Sequence, residues 1–207
     1  MRFKIKYLPS NKFLVTLVTM ALLTACASGP KSPKGAPTIS AKVEQIAEKD
    51  RAAYTAALAD MEKGKAKEAA ASLNKIAYAN PGYVDAWVNL ASASYTIKQI
   101  DEATVAIEHA HKLQPQSAEI DNVRGLIYAA QGRYKEAEQL YLAALKVDPK
   151  NAGIHYNLAL LYDVYYQDIA QAISHYESYL SLSSQKDEET EAWRDELKQM
   201  LLRRNSQ

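Results

Sequence analysis

The residues best suited to nucleophilic or metal chemistry are the single cysteine, Cys26, and four histidines, His109, His111, His155 and His175. A lone cysteine has no disulfide partner, and a structural zinc site usually needs several sulfur ligands. His109 and His111 stand two apart, so on a helix their rings point to different faces and cannot chelate together. His155 falls where a bulky packed residue is expected, and His175 has no nucleophile near it in sequence. Asp121 and Arg124, three apart, read as an ion pair within one helix. Asp187, Glu188 and Glu189 read as a solvated charge run at a helix N-terminus. There is no glycine-rich phosphate loop, no His-Glu-x-x-His and no Gly-x-Ser-x-Gly. The expectation is a protein that is not an enzyme and takes no small-molecule substrate.

The context of Cys26 suggests a different chemistry. Arg2, Lys4, Lys6 and Lys12 precede an apolar run of 11 residues, Phe13 to Leu23. A membrane-spanning helix needs about 20 apolar residues, so the run suits a cleaved signal better than an anchor. Leu23-Thr24-Ala25-Cys26 then resembles the lipobox of bacterial lipoproteins. The resemblance implies a signal peptide over residues 1–25 and covalent diacylglycerol and N-acyl (palmitate-type) lipid on Cys26, with no other cofactor. The alternatives are an ordinary cut near Ala25 and an uncleaved inner-membrane anchor. Ala27, where an aspartate would be the inner-membrane retention signal of enterobacteria, implies the outer membrane, facing the periplasm. Four basic residues and no acidic ones leave with the signal, which takes the formal charge from +1 to −3. A mildly acidic product argues against nucleic acid and against adhesion to anionic lipid through side chains. The acyl chains must therefore hold the membrane, at about 0.8 kcal/mol per buried methylene.

Behind these residues stand the elements that position them. Residues 26–40, with Pro30, Pro33, Pro37, Gly29 and Gly35, form a flexible tether that cannot bury a core. From Ala41 onward the chain is alanine-rich with apolar residues at helical spacing and almost no period-two alternation. Gly64 and Gly132 sit where helices should stop. Pro81, Pro115 and Pro149 recur at 34 residues, as do Ala69, Ala103 and Ala137. Such recurrence means one helix-turn-helix unit used repeatedly, each copy burying its face against its neighbours.

The period and residues resemble the tetratricopeptide repeat. The pattern is fullest over residues 118–151, with Gly125, Tyr128, Gly132, Ala137, Tyr141, Ala144 and Pro149. Units 84–117 (Trp87, Leu90, Ala91, Ala103, Ala110), 50–83 (Ala57, Gly64, Leu73) and 152–186 (Asn157, Leu158, Ala159, Tyr162, Ala172, Tyr176) follow it. In the last unit Leu158 to Ala172 spans 14 residues where Leu90 to Ala103 spans 13, which places an extra residue in the turn near Tyr166 to Asp168. The resemblance implies an all-α, right-handed superhelical solenoid over residues 41–207. It comprises about four units and a capping helix over 189–203, with Tyr179 packed under the cap.

In arrays of this kind the first helices line a concave groove. One stripe carries Arg51, Tyr54 and Leu58; then Asp85, Val88 and Ser92; then Glu119, Asn122 and Leu126; then Gly153, Tyr156 and Leu160. Apolar anchors interleaved with polar groups suit an extended or helical protein segment. A solvated inner surface with no dedicated ligand is the alternative. Asn89 and Asn157 match the asparagine of family members that clamp C-terminal carboxylates. Glu119, Val123 and Gly153 stand where that clamp needs Lys or Arg, so the groove should prefer neutral or basic partners. The reading is a lipid-anchored periplasmic scaffold or adaptor for an envelope complex. A pilotin-like pilus or secretin assembly factor and a recruiter of peptidoglycan-remodelling enzymes are the alternatives.

Overall fold

The computed structural model describes residues 48–206. The expected signal peptide, Cys26, the expected tether and the stretch from Ala41 to Ala47 lie outside the described residues. The described chain is helical throughout: α1 Glu48–Glu62, α2 Ala66–Ala79, α3 Val84–Thr96, α4 Ile100–Leu113, α5 Ala118–Ala130, α6 Tyr134–Val147, α7 Ala152–Leu160, α8 Ile169–Leu182 and α9 Glu188–Asn205. Helices adjacent in sequence pack on one another, and α9 packs on α8 at the C-terminal end. This is the expected all-α solenoid.

Burial explains which helix takes which place. α2, α4 and α6 each bury one stripe, in α4 Ala103, Ala106, Ile107 and Ala110, at the three-to-four spacing of a helix with one face in the core. α3 instead buries an unbroken run from Ala86 to Ser94. It is covered on several sides because it touches α1 and α5 as well as its sequence neighbours. The first helices of the units are therefore stacked on one another. Alanines that are fully buried, such as Ala103 and Ala137, allow the close approach this requires.

Units one to three end their first helix with a residue in the left-handed region: Gly64 at φ 76°, Lys98 at φ 63° and Gly132 at φ 78°. The next residue closes the turn by donating its N–H to a carbonyl five residues back, as in Arg133 to Tyr128 at 2.9 Å. The fourth unit deviates. α7 continues as a π-helical segment, Leu161–Tyr166, followed by Gln167 at φ 54°. Asp168 then donates six residues back, to the Tyr162 carbonyl at 3.0 Å. The extra residue is thus taken up within the last turns of the helix and not in the loop after it. A single-turn π segment is the ordinary way for a helix to hold one residue too many.

The cap is anchored by hydrogen bonds and packing. Tyr179, fully buried, donates from its hydroxyl to Asp187 at 2.8 Å, and Asp187 in turn accepts from the Thr190 N–H that opens α9. Leu197 is buried in the same cluster, with Trp193 and Leu201 packed against it. One buried cluster runs from Tyr54 to Ile127 and a second from Ala137 to Leu197, with Tyr128 packed against both.

Candidate functional site: the inner face of the first helices

The inner stripe divides into residues that hold the units together and residues that remain open. The Asn89 side-chain amide donates to the Tyr54 hydroxyl at 2.8 Å, and that of Asn157 donates to the Asn122 side-chain oxygen at 2.8 Å, both buried and both spanning 35 residues. The corresponding pair at the middle step, Val88 and Val123, is apolar and buried in one cluster. Ser92 and Tyr156 are buried as well. These positions lie in the unit-to-unit packing. Arg51 is exposed; Leu58, Asp85, Glu119, Gly153 and Leu160 are half-buried; Leu126 lies at the floor with 8 % of its surface open.

Asp85 and Glu119 occupy equivalent positions of adjacent units. Among the described residues neither carboxylate finds a hydrogen-bond or ion-pair partner, although both are substantially buried. Burial pushes the Asp85 carboxyl above the usual carboxylate range. Burial, and then the charge of Asp85, pushes Glu119 up to about 7. Tyr54 and Tyr83 pack beside them, ring centroids 5.0 Å apart. Burial and the Asp85 charge push the Tyr83 hydroxyl up to about 12, and Tyr54 is also raised, chiefly by burial. This part of the face holds two carboxyl groups without side-chain partners beside buried tyrosine rings.

Farther along the first helices lies a cavity of about 540 Å³, within the size range of small-ligand and side-chain pockets. Tyr95, Leu126, Tyr141, Tyr156, Leu160 and Tyr165 supply most of its wall, with Lys98 at its edge. Sequence reasoning found Leu126, Tyr156 and Leu160 but missed Tyr95, Lys98 and Tyr141. Lys98 falls 34 residues from both Gly64 and Gly132, which was a usable signal. Tyr141 reaches its place because residue 125 is glycine. A Cβ there would stand 2.5 Å from the Tyr141 ring. Tyr165 stacks on Tyr134 at 3.9 Å between centroids, and Tyr166 beside it is exposed.

Three of the four histidines and the expected ion pair have structural partners. His109 stacks on Trp87 at 4.5 Å. The Trp87 ring N–H donates to the Pro81 carbonyl, and two units later the His155 Nε2 does the same to Pro149 at 3.2 Å. The carbonyl can only accept, so Nε2 carries the His155 proton and its Nδ1 accepts from His175 Nδ1 at 3.0 Å. Burial first, then His155, pushes His175 down to about 4. Arg124 pairs with Asp121 as the spacing suggests, at 3.3 Å, but also with Glu108 on α4 at 3.0 Å.

Stacked helix pairs with an open inner face define a helical repeat scaffold. Residues 60–127 match the tetratricopeptide repeat and residues 125–163 the TPR repeat, so residues 60–163 consist of tetratricopeptide repeats. The uncharacterized protein y4yS of Sinorhizobium fredii is 32 % identical over 81 residues, covering 39 % of this chain and 44 % of that protein. The structure of Pseudomonas aeruginosa pilF is similar with a TM-score of 0.57 and 26 % identity, over 67 % of this chain and 63 % of that one. This chain therefore matches under two thirds of either relative's length. A thermophilic TPR protein of Thermus thermophilus aligns with a TM-score of 0.64 at 21 % identity, over 76 % and 85 % of the two chains. It shows the fold alone.

Proposed function

We propose that this protein is a lipid-anchored periplasmic scaffold that binds a protein segment on its inner face and helps assemble or stabilise an envelope complex. The observation that carries the binding part is the half-buried stretch from Asp85 and Glu119 to the cavity floored by Leu126, on a scaffold where Tyr54, Val88, Asn89, Asn122 and Asn157 are committed to packing. The anchor is supported by the order of basic start, apolar run and Leu23-Thr24-Ala25-Cys26 in the sequence. The outer membrane is the side that Ala27 supports.

Two measurements test the reading. Cells fed labelled palmitate should label the wild-type chain, while Cys26→Ser should be unlabelled and released from membranes; an equally labelled Cys26→Ser would remove the anchor. Photo-crosslinkers at Glu119 and Leu160 should trap one protein in living cells, with exposed Lys135 on α6 as control. Adducts from Lys135 alone would move the working surface elsewhere. The pilotin-like assembly factor is the second reading; a secretin among the trapped adducts would select it. A peptidoglycan hydrolase there would select the recruiter.

A further inference from the structure

The inner face has two unlike ends, and their separation specifies a ligand. Glu119 and Leu126 lie on one stripe of α5, seven residues apart, which is about 10 Å along a helix axis. Beside Glu119 stands the second carboxylate, Asp85, one unit earlier, and no described residue forms an ion pair or hydrogen bond with either group. Around Leu126 lies the apolar cavity walled by Tyr95, Tyr156 and Leu160. A carboxylate held partly out of water without a counter-ion is less stable than in water, and a cation that pairs with it recovers that loss.

Resting on the groove reading above, we propose that the partner segment carries a basic side chain, lysine or arginine, that seats between Asp85 and Glu119, and an apolar or aromatic side chain that fills the cavity about 10 Å away. An extended segment spans that distance in three residues at about 3.3 Å each, and a helical one in seven at about 1.5 Å each. Charge complementarity selects this occupant. A partner acidic at the first position meets two carboxylates, and a neutral one leaves them without a pairing side chain. Lys98 at the cavity edge disfavours a second cation there and so helps to fix the register.

The test is selection from a displayed library of random dodecapeptides against the full mature chain and against its Asp85→Asn/Glu119→Gln form. The expected result is a selected set with Lys or Arg placed three or seven residues from an aromatic or large aliphatic residue. Those peptides should bind at least tenfold more weakly to the doubly substituted chain, and circular dichroism should show both forms equally helical. Selected peptides without a basic residue, peptides that bind both forms alike, or no selection at all would each overturn the proposal. Glu119 and Leu160 crosslinks in cells remain a separate readout. Should they trap a protein while the library yields no basic motif, the scaffold stands and this partner chemistry does not.

Discussion

The side-chain amide of Asn157 donates to the side-chain oxygen of Asn122 over 2.8 Å, joining α5 and α7 where both residues are nearly sealed from water. One step earlier the equivalent residues are Val88 and Val123, and at the first step Tyr54 and Asn89 bond again. Polar, apolar, polar is thus the order of the contacts between successive first helices. Asn157→Val should cost about 1–3 kcal/mol in urea unfolding, because it leaves the Asn122 amide buried with one partner fewer. Asn122→Val together with Asn157→Val copies the middle step and should recover most of that loss. A coupling free energy near zero in the double-mutant cycle would show that the bond contributes nothing.

Gly125→Ala sets helix propensity against packing. Alanine favours a helix interior by about 1 kcal/mol over glycine. Its Cβ would meet the buried Tyr141 ring at 2.5 Å, so the ring would have to shift toward the cavity it lines. Packing should win, with a net loss of about 1–3 kcal/mol in thermal or urea unfolding. Gly125→Ala combined with Tyr141→Leu should be milder, since units one and two carry alanine and a smaller aliphatic residue at these positions, in unit two Ala91 with Ile107.

Lys98 and Gln167 hold left-handed backbone that glycine holds in the first and third units. Lys98→Gly and Gln167→Gly should each stabilise the protein by about 1 kcal/mol, read as a raised midpoint of thermal unfolding. A lowered midpoint would mean that contacts of the longer side chains outweigh the relief of strain.

Glu119 and His175 give stability opposite slopes with pH. The Glu119 carboxyl rises to about 7 on folding, so the folded state prefers it protonated, and stability falls as pH rises from the ordinary carboxylate range through 7. Glu119→Gln should therefore be more stable than wild type at pH 8, by roughly 2 kcal/mol, and no different near pH 4. His175 falls to about 4 on folding, so its stabilising contribution is complete above its ordinary value and is lost as pH drops toward 4. His175→Phe should flatten that loss of roughly 2 kcal/mol. Between about pH 4.5 and 6.5 the two effects oppose each other in the wild type, so urea unfolding of each variant across pH is needed to separate them.

The period of 34 made the helix pairs legible, since Pro81, Pro115 and Pro149 mark the ends of three units and Ala69, Ala103 and Ala137 a close contact within each. The spacing of Leu158 and Ala172 disclosed an extra residue but not its place. Whether a helix or its loop absorbs an insertion depends on the packing of Tyr162 and Leu161, which sequence alone does not give. The inner stripe was legible as a face and not as a surface. Three-to-four spacing puts Asn122 and Tyr156 on the side of the first helix where a groove is expected. How far the next unit leans over them depends on contacts 35 residues away. Asp85, Glu119 and Leu160 stay half-buried.

One residue added to an α-helix would turn everything after it by about 100°, enough to swing α8 off its seat. The π segment at Leu161–Tyr166 confines that rotation to a single turn, and Ala172 still arrives where Ala69, Ala103 and Ala137 do. The array behaves like a ruler with one long division whose later marks still align. Length variation in such a chain can be local and harmless downstream, provided that it falls where a helix is free to widen.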